Sequence, residues 1–140
     1  MNLDVGCGFS TFHRKRRECF KVDIQRSPFI DLICDGQYLP FKEKAFKEVY
    51  CSHVIEHCDY PELMSKELLC IADEFVYIEC PRRFSFNAKQ SGTNPFDRHK
   101  HLFNCNWFHN ALRRIPHHVE VRYSFPLYLY IICEIYLKGK

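Results

Sequence analysis

Several short stretches of this chain combine acidic, glycine and histidine residues in ways that suit ligand chemistry. In the first, Asn2-Leu3-Asp4-Val5 runs into Gly6-Cys7-Gly8 and then into Phe9-Ser10-Thr11. Glycine permits a tight turn and lets a ligand approach where a Cβ would collide, so this order suits a strand-to-helix phosphate or ligand loop. A lone G-x-G marks many turns, and it gains weight only from partners further along the chain. Asp23 closes a second apolar run, Asp35-Gly36 closes a third, and Ser52-His53-Val54-Ile55-Glu56-His57 comes after a fourth. Imidazole titrates near neutral pH, which makes His57 first, then His53, His99 and His101, candidates for taking a proton.

Such residues act together only if the fold gathers them. Strands are expected over residues 2–5, 19–24, 29–34, 46–51 and 75–80. Ser10 or Thr11 can cap a short helix through Glu18. Pro61 suits a first helical position, and Leu63, Met64, Leu68 and Ile71 then lay an apolar stripe at helical spacing. A further helix begins at Cys105 or Asn106 and stops at Pro116. Residues 119–123 alternate like a half-exposed strand, and residues 128–136 pair with them across a turn at 124–126. Only residues 25–28 separate the second and third strands, too few for a crossover helix. The fold class expected is α/β, an open, mostly parallel Rossmann-like sheet of about seven strands with an antiparallel C-terminal hairpin and reduced helices. Ligands bind such sheets at the carboxyl ends of the strands, where strand order reverses. All the stretches above fall at those ends.

Composition sets the bounds. One domain over residues 1–140 is expected, with 46% hydrophobic residues to form its core. A net charge of +3 demands no nucleic-acid partner. The basic runs at 14–17, 81–83 and 98–101 read as solvated surface, with an anionic substrate as the sharper alternative. Nine cysteines, an odd count without C-x-x-C, read as buried reduced thiols of an intracellular, cytoplasmic protein. Residues 127–137 form the longest apolar run, which Glu134 interrupts, so no membrane span is expected. The polar stretch 82–100 reads as a functional loop, with Phe84, Phe86 and Phe96 able to stack on a ring and Phe103 packing inward.

In order and spacing these features resemble a class I S-adenosylmethionine-dependent methyltransferase. The resemblance rests on Asp4-Val5-Gly6-Cys7-Gly8, Asp23, Asp35, Leu39-Pro40-Phe41, Phe46-Lys47-Glu48-Val49 and His53-Val54-Ile55-Glu56-His57, and it covers residues 2–80. It is nearest to members with L-P-F before the fourth strand and E-H after it. It implies S-adenosylmethionine as cofactor, with Gly6, Cys7 and Gly8 forming the loop under its methionine part and Asp4 near its ammonium. It further implies that Asp23 accepts from both ribose hydroxyls, that Asp35 meets the adenine amino group beside Gly36, and that Ser52 and His53 line the sulfonium end. A carboxylate, being acceptor-only and bidentate, suits the ribose role. His57 is the candidate catalytic base; the same E-H pair can instead brace its loop.

The sequence departs from the family in three ways. Ser10 stands where a third glycine is common, the sequence opens on the first strand without the usual preceding helix, and one crossover helix is missing. An open cofactor site is therefore expected. The acceptor is expected to be a small molecule or a protein, with RNA a further candidate, since neither an N/D-P-P-aromatic stretch nor a Pro-Cys pair is present at the places base methylation needs them. The alternative is a catalytically silent binding or dimerisation module, and the tyrosine-rich hairpin 119–136 is a candidate edge for a homodimer. A dinucleotide reading fails on Thr11, which stands at the third glycine of G-x-G-x-x-G. No metal site is expected. His53 to His57 match H-x-x-E-H, but the pattern comes directly after a strand and reaches Pro61 within a turn, whereas zinc-protease chemistry needs a stable helix. His99-x-His101 and His117-His118 have donors that could bind metal, but they read as exposed loop histidines.

Overall fold

The computed structural model describes residues 1–8, 18–83, 98–114, 118–125 and 127–138. The strands are β1 (Leu3–Val5), β2 (Phe20–Asp23), β3 (Leu32–Ile33), β4 (Phe46–Ser52), β5 (Ala72–Pro81), β6 (His118–Tyr123) and β7 (Tyr130–Tyr136). Two helices are described, α1 (Pro61–Ile71) before β5 and α2 (Cys105–Leu112) after it. The strands form one seven-stranded sheet in the order β3-β2-β1-β4-β5-β7-β6. Strands β1 to β5 pair in parallel, while β7 runs antiparallel to both β5 and β6. The α/β class, the strand count and the antiparallel C-terminal pair are as the sequence implies.

Strand order reverses between β1 and β4, where Val5 lies beside Cys51. The glycine loop after β1 and the histidine stretch after β4 therefore emerge side by side. The third strand is shorter than expected. Ahead of it Asp31 is tied to Lys21 twice: its N–H donates to the Lys21 carbonyl and its carboxylate accepts the Lys21 N–H, each at 2.8 Å. The helix expected from Ser10 or Thr11 to Glu18 and most of the loop 82–100, with Phe84, Phe86 and Phe96, lie outside the described residues.

Packing obeys the apolar periodicities. Met64, Leu68 and Ile71 bury one face of α1, which opens on Pro61 as expected. The Asn104 side chain caps α2 by accepting the Trp107 N–H at 2.9 Å. Phe108 and Leu112 bury the inner face of α2, and the Phe103 ring packs 4.7 Å from Trp107. Val76, Ile78 and Cys80 on β5 and Ile131, Cys133 and Ile135 on β7 alternate into the core. The L-P-F stretch is structural: Phe41 meets Phe46 edge-on at 4.9 Å, and the Leu39 N–H donates to Glu67. In the basic region Arg82 stacks 4.5 Å over the Tyr123 ring. Among the described residues no helix is long and apolar enough to cross a membrane.

All nine cysteines are free. Burial pushes the thiols of Cys7, Cys58 and Cys133 up to about 12 from an ordinary value of 9.0. The unfolded chain would release these protons near pH 9 and the folded chain only near pH 12, so the folded state holds more protons between the two. Stability is thus complete below about pH 9 and falls as pH rises toward 12. Urea midpoints measured at about pH 8 and about pH 10 should show a clear drop at the higher pH.

Candidate functional site

The loop after β1 is set by two backbone conformations. Gly6 has φ +70° and Gly8 φ +57°, both in the left-handed region that side chains disfavour. The Gly6 N–H bonds the Val22 carbonyl at 2.8 Å and ties the loop to β2. At the end of β2, one Asp23 oxygen accepts the Gly8 N–H and the other the Gln25 N–H, each at 2.8 Å. Asp23 thus braces the glycine loop, and each of its oxygens keeps a further acceptor site.

After β3, Asp35 accepts the Gln37 backbone N–H at 2.9 Å and both its oxygens lie 3.2 Å from the Gln37 side-chain nitrogen. Gln37 is buried, and its carbonyl oxygen takes the Tyr60 N–H at 2.7 Å, just ahead of α1. Sequence reasoning passed over Gln37. Its position two residues after a turn aspartate was the available signal.

After β4, His53 adopts φ 57°, which is unusual for a residue with a side chain. Its N–H bonds the Glu79 carbonyl at 2.8 Å, and its ring stands edge-on to Tyr130 at 4.9 Å. The His53 ring nitrogens lie 3.6 Å from Glu56 and 3.7 Å from Glu79 carboxylate oxygens. Val54 then packs onto Gly6, and the His57 N–H closes a turn on the Val54 carbonyl at 2.9 Å. The Lys100 and His101 N–H groups both donate to the Glu56 carbonyl, at 2.7 and 3.2 Å. Those bonds lay the 98–103 segment along this turn. The His99 ring consequently sits half-buried, 4.7 Å from the His57 ring, not exposed as the sequence suggested.

These segments enclose a cleft of about 250 Å³. Of the residues expected at a site, Gly6, Gly8, Asp23, Asp35, Gly36, His53 and His57 line it. Three others stand outside its walls. Asp4 is buried on β1 between β2 and β4, Cys7 is a buried thiol, and the Ser52 hydroxyl turns to Glu79 at 3.4 Å. The role of Gly36 also differs. A Cβ there would meet the Met64 methyl at 2.7 Å, so its missing side chain makes room for α1. Ile24 and Lys100, not singled out from sequence, line the cleft as well.

No protein-family model matches the sequence, and no curated protein matches it. Solved structures do. A methyltransferase dependent on S-adenosylmethionine from Archaeoglobus fulgidus superposes with a TM-score of 0.73 at 16% identity, covering 96% of this chain and 85% of that one. A chain from the complex of the Haloferax volcanii Trm112 methyltransferase activator with a methyltransferase gives 0.69 at 13% identity, covering 99% and 82%. The 4+2 cyclase SpnF gives 0.68 at 14% identity, covering 96% and 74%. Likeness at these identities establishes the fold, that of the class I S-adenosylmethionine-dependent methyltransferases.

The two loop glycines should respond differently to substitution. Among the described residues a Cβ on Gly8 would meet nothing within 4 Å, so Gly8→Ala should cost only its left-handed backbone, about 1–2 kcal/mol. A Cβ on Gly6 would lie 2.1 Å from Val54, so Gly6→Ala should cost about 2–5 kcal/mol. Urea denaturation of both variants checks the order.

Proposed function

We propose, from the class I fold and its cleft, that the chain binds S-adenosylmethionine and transfers its methyl group to a small-molecule or protein acceptor, with RNA a further candidate. The observation that carries this reading is the placement of Asp23. It sits at the end of β2 beside the strand-order reversal, lines the cleft, and holds the Gly8 N–H while keeping acceptor capacity on both oxygens. That donor-free carboxylate fits a ribose diol. The open space over Gly8 fits a ligand that approaches the backbone. Ile24, 46% exposed beside Asp23, supplies an apolar wall for a base, and Asp35 an acceptor for its amino group.

S-adenosylmethionine supplies a methyl group on a sulfonium, which needs no covalent enzyme intermediate. The chain's own residues have the work of alignment and proton removal. His53 is held by Glu79, Tyr130 and its backbone at the cleft wall. His57, with its side chain 21% exposed, stands at the same wall as the candidate base for an acceptor that must lose a proton. The Haloferax neighbour was solved with an activator protein, which supports a protein partner here as well; β6, the sheet edge, is the candidate surface for a second copy. The free cysteines support a reducing, cytoplasmic setting. A second reading, a catalytically silent binding or dimerisation module, follows from the rule that one fold serves different functions; the SpnF neighbour is a 4+2 cyclase.

Titration calorimetry with S-adenosylmethionine and S-adenosylhomocysteine tests the reading. Wild type should bind both in the micromolar range. Asp23→Asn and Asp23→Ala should weaken binding by about 10–100-fold, the loss of one or two charged hydrogen bonds. A folded wild-type protein that binds neither would overturn it.

A further inference from the structure

A second constellation stands beside the cleft. Glu56 is 1% exposed, yet among the described residues neither of its carboxylate oxygens finds a hydrogen-bond donor. Its nearest partners are imidazoles: one oxygen lies 3.6 Å from His53 Nδ1 and 3.9 Å from His57 Nε2, beyond hydrogen-bond reach. His57 Nδ1 is likewise buried without a hydrogen-bond partner. The lysine of this region, Lys100, commits its ammonium to Asp59 at 2.6 Å. Buried carboxylates are almost always hydrogen-bonded or bound to a cation, so these two bare oxygens call for one.

We propose that Glu56, His57 and His99 hold a divalent transition-metal ion. One ligand atom from each lies within 4.8 Å of the others. Tetrahedral ligands about 2.0–2.2 Å from a shared ion stand roughly 3.3–3.6 Å apart, so side-chain movements of about an ångström close the set. One carboxylate and two imidazoles suit Zn²⁺, Co²⁺, Fe²⁺ or Mn²⁺; Ca²⁺ and Mg²⁺ favour oxygen donors, and Cu⁺ favours thiolates. The backbone brings the set together in advance, because the Lys100 and His101 N–H groups clamp the His99 segment onto the Glu56 carbonyl. Sequence spacing hid this set: its third member comes from a distant segment, and the local H-x-x-E-H supplies the other two.

Three protein ligands leave coordination positions free for an outside atom, as catalytic sites do. His57 also lines the cleft. In the methyl-transfer reading, on which only this consequence rests, the ion takes an acceptor oxygen or nitrogen beside the methyl donor. A ligating imidazole cannot also collect a proton. In the loaded protein the ion would therefore lower the acceptor's pKa so that its proton leaves to solvent through the open cleft, in place of His57 acting as base.

The test uses the full chain after dialysis against EDTA. Co²⁺ is titrated while its visible d–d absorption is followed, and Zn²⁺ is then added in competition. One equivalent of Co²⁺ should bind, and Zn²⁺ should displace it. Glu56→Gln keeps the side-chain volume and His99→Ala leaves the backbone clamp intact, so both should fold, as melting curves will check. Each should weaken Co²⁺ binding at least about tenfold. Wild type that binds no Co²⁺, or undiminished binding in either folded variant, overturns the site. S-adenosylhomocysteine titrated into metal-free protein reports on the cofactor reading separately, so failure of one leaves the other standing.

Discussion

The contact between Val54 and the bare α-carbon of Gly6 governs this site. A Cβ at Gly6 would lie 2.1 Å from Val54. The loop after β1 and the turn after β4 can meet only because that atom is missing. On one side the contact sets the path from Gly6 to Gly8 and hence the hydrogen bond to Asp23. On the other it fixes Val54, whose carbonyl anchors the turn that presents Glu56 and His57. Both halves of the cleft take their positions from one packing constraint at the strand-order reversal.

The C-terminal strands also reach the site. β7 inserts between β5 and β6, bringing Tyr130 level with Pro81 and its ring against His53. Glu79 on β5 approaches the same imidazole. His53 is thus held in its left-handed conformation from several sides, the usual circumstance in which a non-glycine residue keeps such a backbone. The antiparallel pair therefore positions the site as well as finishing the sheet.

Much of this was legible in the sequence because it depends on local order. The apolar run ending in Asp23, the paired glycines and the Pro61 helix start translate directly into β2, the loop and α1. The shortness of β3 was not legible, because it depends on pairing with β2, which joins only Val22 to Leu32 and Asp23 to Ile33. Nor was the packing role of Gly36, which depends on Met64 in another element. His99 looked like any polar-loop histidine, and only the bonds from residues 100 and 101 to the Glu56 carbonyl give it a neighbour. The family resemblance implies Ser52 in the cleft wall; its hydroxyl turns to Glu79 on the adjacent strand. Short-range patterns survive translation into three dimensions, while contacts between remote segments have no signature in one sequence.

Gln37 joins two features otherwise separate. Its nitrogen lies against the carboxylate of Asp35, and its oxygen receives the amide that precedes α1. Both ends of one side-chain amide are committed, so its orientation is determined by its neighbours. The carboxylate keeps acceptor capacity beyond what Gln37 takes, while any rotation of the Gln37 amide would withdraw the acceptor from Tyr60. The end of β3 and the first turn of α1 therefore share one side chain, and a disturbance at either is felt at the other.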